Sequence, residues 1–565
     1  MNALRRAKWL DRELGDPCDP RRKVSSANRD RAAQPSTDAA GAQVQLHPYY
    51  IPRELGGEFS SFEEVGALIR VIARRDMTTA VTHAYSLFGA IIVWLAGDAA
   101  QQRAVASLML GGERISVALC EPVSGSDLLA MTATAQRSGN GYRLTGDKWL
   151  DDDVAKLRLV IVYARTLDRG GPRGFSLFLI DRDAISGGVH VTGKSPTKGM
   201  RGVALDELWF DAQLPGTTLI GAEGSGFEVI LKALQILRTI CGALSLGTLD
   251  TSVETVLRFA LDYKVGDEPL TELPHSKRLL CEAWAELLIG DSLTSVALRG
   301  VHAVSSQASV HSAVVKYLVP MLAEQAVQKL AVIYGARHQL QQPEDPRVFQ
   351  KMYRANQAVS LFDGSTDGKM QLSLFSLSHQ LRSLVIHFQA TDMQGWAHHA
   401  SPPVELDWTR FSLSAGGEDA VLAGFEAGSH ALHMWLRQRT MDESRQSLEA
   451  SLVRLAQSKD ELFTAVRGLS AGAVATGHPD GLELARRYCV VEAAAAVLTD
   501  WRLNRAALAS TLADPAVLAV VLQRLTAQLG EAILLPPLCY RDCFAALLVR
   551  RAHDGRCSLY VMPPD

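Results

Sequence analysis

The sequence lacks the short motifs that mark the commonest nucleotide-binding and hydrolase sites. No P-loop, no GxGxxG after a strand and no GxSxG nucleophile elbow is present. Its 8 cysteines are scattered, without a CxxC pair or a Cys/His spacing typical of zinc ligands. We therefore expect no metal ligand set. Isolated cysteines are also typical of a reducing compartment, which predicts a cytoplasmic protein.

Basic charge and long apolar runs are also scarce. The formal net charge is −3, and residues 386–565 hold 16 Lys plus Arg against 20 Asp plus Glu. This balance predicts that the chain does not bind nucleic acid. No uninterrupted apolar run approaches the roughly 18 residues that cross a bilayer, so we expect no integral membrane segment. The basic start MNALRRAKW is followed at once by acidic residues rather than an apolar core, so we expect no signal or transit peptide.

The patterning of the sequence indicates helices on either side of a strand-rich segment. Between Phe59 and Gly112, apolar residues recur at helical spacing. After Arg114, short runs rich in Val, Ile, Leu and aromatic residues alternate with Gly, Asp and Pro, as in a sheet. From Gly226 the apolar residues again follow a helical period, and helical patterning continues to about Ser383. Further amphipathic segments follow a linker that contains Gly and Pro.

These patterns predict an α+β chain of four domains. Residues 1–114 form an N-terminal helical domain, 115–222 a central antiparallel β-domain, 223–385 a helical bundle and 386–565 an additional C-terminal helical domain. A chain of 565 residues is too long for one core, which agrees with several domains. The additional domain carries no pattern that indicates its purpose.

Several segments follow one another in the order and spacing of a known family. They are Ile51–Gly57 (IPRELGG), Ala118–Asp127 (ALCEPVSGSD), Tyr142–Lys148 (YRLTGDK), Lys198–Gly202 (KGMRG), Leu219–Phe227 (LIGAEGSGF) with Arg238, and Arg354 followed by Phe362–Thr366 (FDGST). One such match is weak, but the ordered series is specific. Residues from about 10 to 385 thus resemble the acyl-CoA dehydrogenase family. The resemblance implies that family's fold, FAD as the cofactor and an acyl thioester as the substrate, although fold does not fix function.

The resemblance also assigns the reacting groups. Desaturation of a thioester needs a base for the α-proton and a hydride acceptor on the opposite face of the β-carbon. The base position, Glu in most relatives, is Asp363, and substrate contacts fall on Arg238, Phe362 and Gly364. The alternative base position of some relatives is Leu237, which cannot accept a proton. Asp is shorter than Glu by one bond of about 1.5 Å, and a misplacement of about 1 Å can cost on the order of a hundredfold in rate. An Asp before Gly is also a common turn residue, so both interpretations stay open.

The positions that contact the flavin in relatives depart most from the family pattern. The resemblance assigns cofactor contacts to Cys120, Gly125, Ser126, Trp149, Asp152, Lys264, Gly335 and Ser365. Cys120 replaces Thr and is a weaker hydrogen-bonding partner. Asp152 would set a negative charge against a ring that becomes anionic on reduction. That opposes hydride uptake unless Asp152 is protonated or turned away, or the loop register slides to use Trp149.

The segments that hold the FAD pyrophosphate in relatives are eroded as well. Relatives carry an Arg near Lys264, and Lys lacks the bidentate fork of Arg. Near Gly335, the side chains of Tyr334 and Arg337 add bulk where a close backbone approach is expected.

Two classes of function therefore stay open. The first is an FAD-dependent oxidoreductase of specialised metabolism that acts on an acyl thioester of coenzyme A or of an acyl carrier protein, with α,β-desaturation as the default reaction. The second is a non-redox member that keeps the fold as a binding or partner module. Docking of the extra helices on membranes or DNA is a third possibility, which the acidic balance opposes for DNA. Relatives are tetramers, or dimers where a C-terminal domain occupies the other interface, so we expect a homo-oligomer, a dimer in preference to a tetramer.

Overall fold

The computed structural model of the chain describes most of its length. The described residues are 3–18, 46–125, 127–152, 156–168, 170–185, 188–195, 203, 205–339, 348–361, 365–366, 370–386, 393, 395–440, 442–469, 479–506, 511–531, 533–554 and 557–558. All architecture given below refers to these residues.

The N-terminal part is helical. Its helices are α1 (Ala3–Leu14), α2 (Phe62–Ala73), α3 (Met77–Ala96) and α4 (Ala99–Leu110). Ser61 begins α2 because its hydroxyl accepts the Glu64 N–H at 3.2 Å, and Asp98 begins α4 in a capping box with Gln101. The apolar faces of α2 and α3 are buried in one cluster, so these helices form a core rather than a surface layer.

A strand-rich segment follows, as the sequence predicts. Its strands are β1 (Ile115–Ala118), β2 (Thr134–Ser138), β3 (Gly141–Asp152), β4 (Leu159–Arg165), β5 (Phe175–Asp181), β6 (Val189–Ser195), β7 (Leu205–Pro215) and β8 (Leu219–Ile220). They form one sheet in the order β6-β7-β3-β2-β4-β5-β8, and β1 pairs in parallel with β4. The pairs β2–β3, β3–β7, β4–β5, β5–β8 and β6–β7 are antiparallel. The parallel pairing of β1 lays its end against the middle of the sheet.

Long helices form the next layer. They are α5 (Gly226–Asp262), α6 (Pro274–Ala303), α7 (Ala308–Tyr334), α8 (Val348–Leu361) and α9 (Leu372–Ile386). Short strand pairs join Lys264–Val265 to Glu268–Pro269 (β9, β10) and Ser365–Thr366 to Met370–Gln371 (β11, β12). A buried guanidinium ties this layer to the N-terminal helices: Arg70 Nε lies 2.8 Å from Asp250 Oδ2, and Arg70 Nη1 lies 2.5 Å from Asp291 Oδ1.

The C-terminal helices extend the core of that layer. They are α10 (Ala420–Arg437), α11 (Glu443–Gly468), α12 (Pro479–Asn504), α13 (Pro515–Gln528) and α14 (Pro537–Asp554). One cluster of buried apolar side chains runs from Leu246 to Cys557 and includes residues of α5 to α7 and of all five C-terminal helices. The helices are therefore joined by a continuous apolar interior. The four domain boundaries themselves stay a prediction.

Two helices, α3 and α5, are long and apolar enough to cross a membrane by length and composition. In α3, 72% of the most apolar window is buried inside the protein, and in α5 83% is buried. Most of each segment is thus covered by other parts of the chain, as in a core helix. Neither helix contains an uninterrupted apolar run of about 18 residues, so a search for such runs does not identify these two candidates.

A buried polar network lies where the C-terminal helices meet α7. His311 Nδ1 lies 2.8 Å from Glu492 Oε1 and 3.9 Å from Asp419 Oδ1. Asp419 also accepts a hydrogen bond from the Tyr488 hydroxyl and caps α10 through the Leu422 N–H. Burial and then the charge of Asp419 raise the pKa of Glu492 to about 7, although His311 opposes that shift. Burial disfavours the charged imidazole, but the bond to Glu492 and the charge of Asp419 outweigh it and raise the pKa of His311.

This network predicts that stability falls as pH rises from about 4.5 to beyond 7. Both shifts raise the folded-state pKa, so the folded chain binds more protons than the unfolded chain in that window, and the free energy of unfolding decreases with pH. Urea unfolding at a series of pH values measures the slope. Glu492→Gln should flatten it, whereas the same slope in Glu492→Gln would contradict the assignment to this site.

Candidate functional site

A buried ion pair organises the loop that follows β1. Lys148 Nζ on β3 lies 2.9 Å from Glu121 Oε1 and donates to the Leu119 carbonyl at 3.1 Å. Glu121 also accepts from the Thr132 N–H at 2.7 Å and from the Ala133 N–H at 3.0 Å. Glu121 is 3% exposed and Lys148 1% exposed, so neither charge has water to replace its partner. The pair therefore fixes the loop against the sheet.

The pKa of Glu121 agrees with its role as the anionic partner of Lys148. Burial alone would raise its pKa, but the charge and hydrogen bond of Lys148, with the two backbone N–H groups, hold the pKa of Glu121 below its usual value. The carboxylate is thus stable as an anion, which suits a structural clamp rather than a proton-transfer group.

Two predicted cofactor residues meet beside this clamp. The Trp149 N–H donates to the Cys120 carbonyl at 2.9 Å. The Trp149 indole Nε1 donates to Ser195 Oγ at 3.0 Å, and Ser195 donates to Glu207 Oε1 at 2.9 Å. The bonds from Trp149 through Ser195 to Glu207 join β3 to β6 and β7 and fix the orientation of the half-buried indole, while the Trp149 backbone is bonded to that of Cys120.

The strand changes register at the same place. Trp149 pairs with Glu207, whereas Asp151 pairs with Asp206 and Asp152 with Leu205, so one extra residue is inserted between Trp149 and Asp151. Such a bulge changes the direction in which the following side chains point. The pairing register of β3 thus shifts next to Trp149, where the sequence leaves open a register that uses this residue. The side chain of Asp152 lies outside the description.

The turn after Glu121 explains the glycine at position 125. Gly125 has a φ of 56° and its N–H donates to the Glu121 carbonyl at 2.9 Å. A left-handed φ favours glycine because it has no Cβ. The neighbouring Ser126 lies outside the described residues.

A second group of predicted cofactor residues gathers where α5 and α7 end. The guanidinium carbon of Arg337 lies 4.4 Å from the ring centroid of Tyr263 and 5.3 Å from that of Phe259. Arg337 and the adjacent Lys264 are both exposed. A guanidinium therefore lies beside the segment that lacks the Arg of relatives, although it comes from a different helix.

The backbone conformation of Gly335 allows Arg337 to approach the rings of Tyr263 and Phe259. It ends α7 with a φ of 64°, and a Cβ built at this position would meet no atom within 4 Å. Tyr334, by contrast, is 9% exposed and packs edge-on against Phe259 with ring centroids 4.9 Å apart. The bulk expected at Tyr334 therefore fills the protein core, and the bulk expected at Arg337 is a cation at the surface.

The predicted catalytic and substrate residues are described only in part. Asp363, Phe362 and Gly364 lie outside the described residues. Ser365 is described by its backbone, which pairs with Gln371. Arg238 is buried in α5, 5% exposed. No described contact brings it together with the cofactor residues, so its role stays a prediction.

Glu121 and Lys148 stand in the motifs quoted above, but the motifs alone assign them no role. The available signal was a lysine in the middle of a strand pattern and a glutamate after an apolar strand, because buried charges require partners. Arg337 was interpreted as bulk, since no sequence feature indicates that it stacks on an aromatic ring 74 positions earlier in the chain.

Among the described residues, His311, Asp419 and Glu492 place potential metal-ligand atoms within 4.8 Å of one another. His311 hydrogen-bonds to Glu492, and Asp419 accepts a hydrogen bond from Tyr488, so these groups already have partners within the polar network between the helices.

Comparisons with known proteins agree with the architecture. A model of the acyl-CoA dehydrogenase middle domain matches residues 116–212, and a model of the acyl-CoA dehydrogenase C-terminal domain matches residues 224–373. Cyclohex-1-ene-1-carbonyl-CoA dehydrogenase of Geobacter metallireducens is 30% identical over 183 residues, which are 32% of this chain and 45% of that protein. The chain thus spans less than half of that relative's length.

Solved structures share the fold. One is the prolyl acyl carrier protein oxidase AnaB, with a TM-score of 0.56, 19% identity, and coverage of 64% of this chain and 94% of that chain. Another is PigA with FAD and proline, with a TM-score of 0.56, 21% identity, and coverage of 65% of this chain and 95% of that chain. At these identities the likeness concerns the fold alone.

The clamp generates a stability prediction. Lys148→Met should lower the free energy of unfolding by roughly 3–5 kcal/mol, because it leaves Glu121 buried without its cation. Arg143→Met is the matched control on the same strand. Its partner is Asp211, the two side chains are 62% and 38% exposed, and its loss should cost less than about 1 kcal/mol. Urea unfolding measures both, and equal losses would contradict the clamp.

Proposed function

Since the chain belongs to the acyl-CoA dehydrogenase family, with that family's middle and C-terminal domains at residues 116–212 and 224–373, we propose that it is an FAD-dependent oxidoreductase that acts on an acyl thioester. The observation that carries the proposal is the site around the Glu121–Lys148 pair, where Cys120 and Trp149 are held together at the end of β1. The default reaction is α,β-desaturation.

The described residues at the expected cofactor positions fit FAD. Gly125 and Gly335 have left-handed backbones that leave room for a close approach, and Arg337 with Lys264 offers two exposed cations for a pyrophosphate. Cys120 and Trp149 would hold the ring end. Bound FAD would supply hydride acceptance, which no side chain provides.

The chain's own groups supply the proton chemistry. We assign removal of the α-proton to the carboxylate of Asp363. This assignment rests on the resemblance of Arg354 and the segment 362–366 to the family pattern. A carboxylate in a water-poor slot gains basicity, because burial disfavours its charged form. The shorter side chain requires that the thioester approach the backbone more closely than Glu would require. The substrate contacts are assigned to Arg238, Phe362 and Gly364.

The carrier of the acyl group is either coenzyme A or an acyl carrier protein. The names of the matching proteins include both, a CoA-thioester dehydrogenase and an acyl carrier protein oxidase. We place the reaction in specialised metabolism because the flavin contacts depart from the family pattern. We further propose a cytoplasmic homo-oligomer, with a dimer favoured over a tetramer because the C-terminal helices cover part of the α5–α7 layer.

A second candidate is a non-redox member of the family that acts as a binding or partner module. The substitutions at Cys120, Asp152 and Tyr263–Gly266 favour it. The packing of Tyr334 in the core speaks against a blocked cofactor site, since that ring fills protein rather than the surface near Arg337.

The absorbance spectrum of the purified protein tests the proposal directly. We expect a yellow protein with a flavin spectrum that bleaches when an acyl thioester is added without oxygen. Asp363→Asn should retain the flavin and lose the bleaching, because the α-proton then has no base. A colourless protein that takes up no added FAD would favour the binding module, and unaltered bleaching in Asp363→Asn would remove Asp363 from the mechanism.

Arg337, which lies beside the segment that lacks the Arg of relatives, leads to a separate prediction. Arg337→Gln should weaken FAD binding about 10- to 100-fold, the equivalent of about 1.5–3 kcal/mol for a charged hydrogen bond. Riboflavin, which lacks the pyrophosphate, should bind the variant and the parent equally. Arg439→Gln is the control, because Arg439 also stacks on an aromatic ring, Trp435 at 3.9 Å, but lies in the C-terminal region between α10 and α11. Equal FAD affinities in all three proteins would exclude Arg337 from the site.

A further inference from the structure

Two buried histidines in the N-terminal helices have ring nitrogens without hydrogen-bond partners in the part of the chain that the structure describes. These atoms are Nδ1 and Nε2 of His47 and Nδ1 of His83. His47 is 6% exposed and His83 5% exposed, and their ring centroids are 5.7 Å apart. His47 begins a short turn that ends at Tyr50, and His83 lies in α3.

The lack of partners is not a general property of buried histidines here. His302 is 3% exposed, yet its Nε2 accepts the Phe62 N–H at 2.9 Å and its Nδ1 lies 2.9 Å from the Val404 carbonyl. Both nitrogens of one buried imidazole are thus bonded, whereas three nitrogens at another place have no partner among the residues that the structure describes. Each unpaired buried polar group destabilises the folded state, and native structures rarely keep several together without a ligand or water.

Both imidazoles are neutral near pH 7. Burial, with a smaller effect of Arg114, lowers the pKa of His47 to about 4. Burial, the neighbouring His47 and Arg114 lower the pKa of His83 to about 3. A neutral imidazole carries one N–H donor and one acceptor nitrogen. The cluster therefore offers donors and acceptors, and the positive charge of Arg114 acts on both rings.

The surroundings of the cluster favour an oxygen-bearing group. The Tyr50 ring stands almost perpendicular to His47, with centroids 5.7 Å apart, and Tyr50 is buried. N–H donors that experience the positive charge of Arg114 complement hydroxyl or carboxylate oxygen, which accepts hydrogen bonds. An apolar group would leave the three nitrogens unpaired and would not recover their cost.

A hydrogen bond connects the helix of His83 to the strand that leads to the proposed reaction site. In α3, Ser86 accepts the N–H of Ile115 at 3.3 Å, which joins the helix of His83 to the start of β1. The strand leads from Ile115 to Cys120. Five residues span at most about 18 Å when fully extended, which sets an upper limit on the distance from this contact to Cys120 that a substrate has to bridge.

We propose that His47 and His83 bind a hydroxyl or carboxylate oxygen on the acyl chain of the thioester substrate. This assignment rests on the proposed function and narrows its substrate class: the acyl group is oxygenated away from the thioester, rather than a plain hydrocarbon chain.

The first test needs neither cofactor nor substrate. His47→Phe and His83→Phe should leave the melting temperature unchanged or raise it, because the nitrogens they remove have no partners to lose. His302→Phe, the matched control, should lower it, because the Phe62 N–H and the Val404 carbonyl then lose their partner. A decrease in His47→Phe and His83→Phe as large as in His302→Phe would overturn the proposal.

The second test measures binding by calorimetry with hexanoyl-CoA, 6-hydroxyhexanoyl-CoA and adipoyl-CoA, and with the matched four- and eight-carbon series. The parent protein should bind an oxygenated thioester about tenfold more tightly than the plain chain of equal length, and the preference should be lost in His47→Phe and His83→Phe. His83→Gln, which keeps a donor and an acceptor, should retain part of the preference.

Three results would overturn this site. They are a preference for the plain chains in the parent, a preference that survives both Phe substitutions, and binding of free adipate as tight as that of adipoyl-CoA. Flavin content is measured on the same preparations and reports on the proposed function separately. A colourless protein that keeps the oxygen preference would end the redox function and leave the binding site in place.

Discussion

The carboxylate of Glu121 and the ammonium of Lys148 meet 2.9 Å apart with almost no access to water, and the geometry of the surrounding loop follows from that contact. Two charges in such a place are tolerated only when each satisfies the other and the remaining lone pairs are bonded. Here the backbone N–H groups of Thr132 and Ala133 complete the set. The loop that carries Cys120 and Gly125 is therefore held from three directions, by β1, by β3 and by the segment before β2.

The C-terminal helices add a second constraint, at their contact with α5 to α7. Their apolar faces continue the interior of α5 to α7, and a polar network of His311, Asp419, Glu492 and Tyr488 lies inside that contact. Buried polar groups have specific partners, so they fix the relative position of packed helices more narrowly than apolar contacts do. If the C-terminal helices serve to support the long helices α5 to α7, every contact described in this network is explained.

The sequence predicted the order of helices, sheet and helices well, because amphipathic period and strand punctuation are local signals. It assigned the loop residues to one cofactor site, which stays a prediction, and it did not predict their arrangement. The bulge after Trp149 depends on pairing with β7, some 55 residues away in the chain, and no local pattern encodes it. The position of Arg337 over Tyr263 likewise depends on how α5 and α7 end side by side. The segment around Asp363 was assigned by resemblance alone and stays a prediction.

The differences from the family pattern fall at positions that the resemblance assigns to ligand contacts, whereas the groups that position the backbone are retained. Gly125, Gly335, Glu121 and Lys148 all keep the conformations or contacts that shape the site. A chain that no longer held a ligand would be free to lose the buried Glu121–Lys148 pair, since a pair of apolar residues at such a place is often equally stable. Retention of a costly ion pair beside altered contact residues therefore favours a site that has changed its ligand over one that has lost it. The unpaired nitrogens of His47 and His83 are consistent with the same change, because they too are costly unless a polar group meets them.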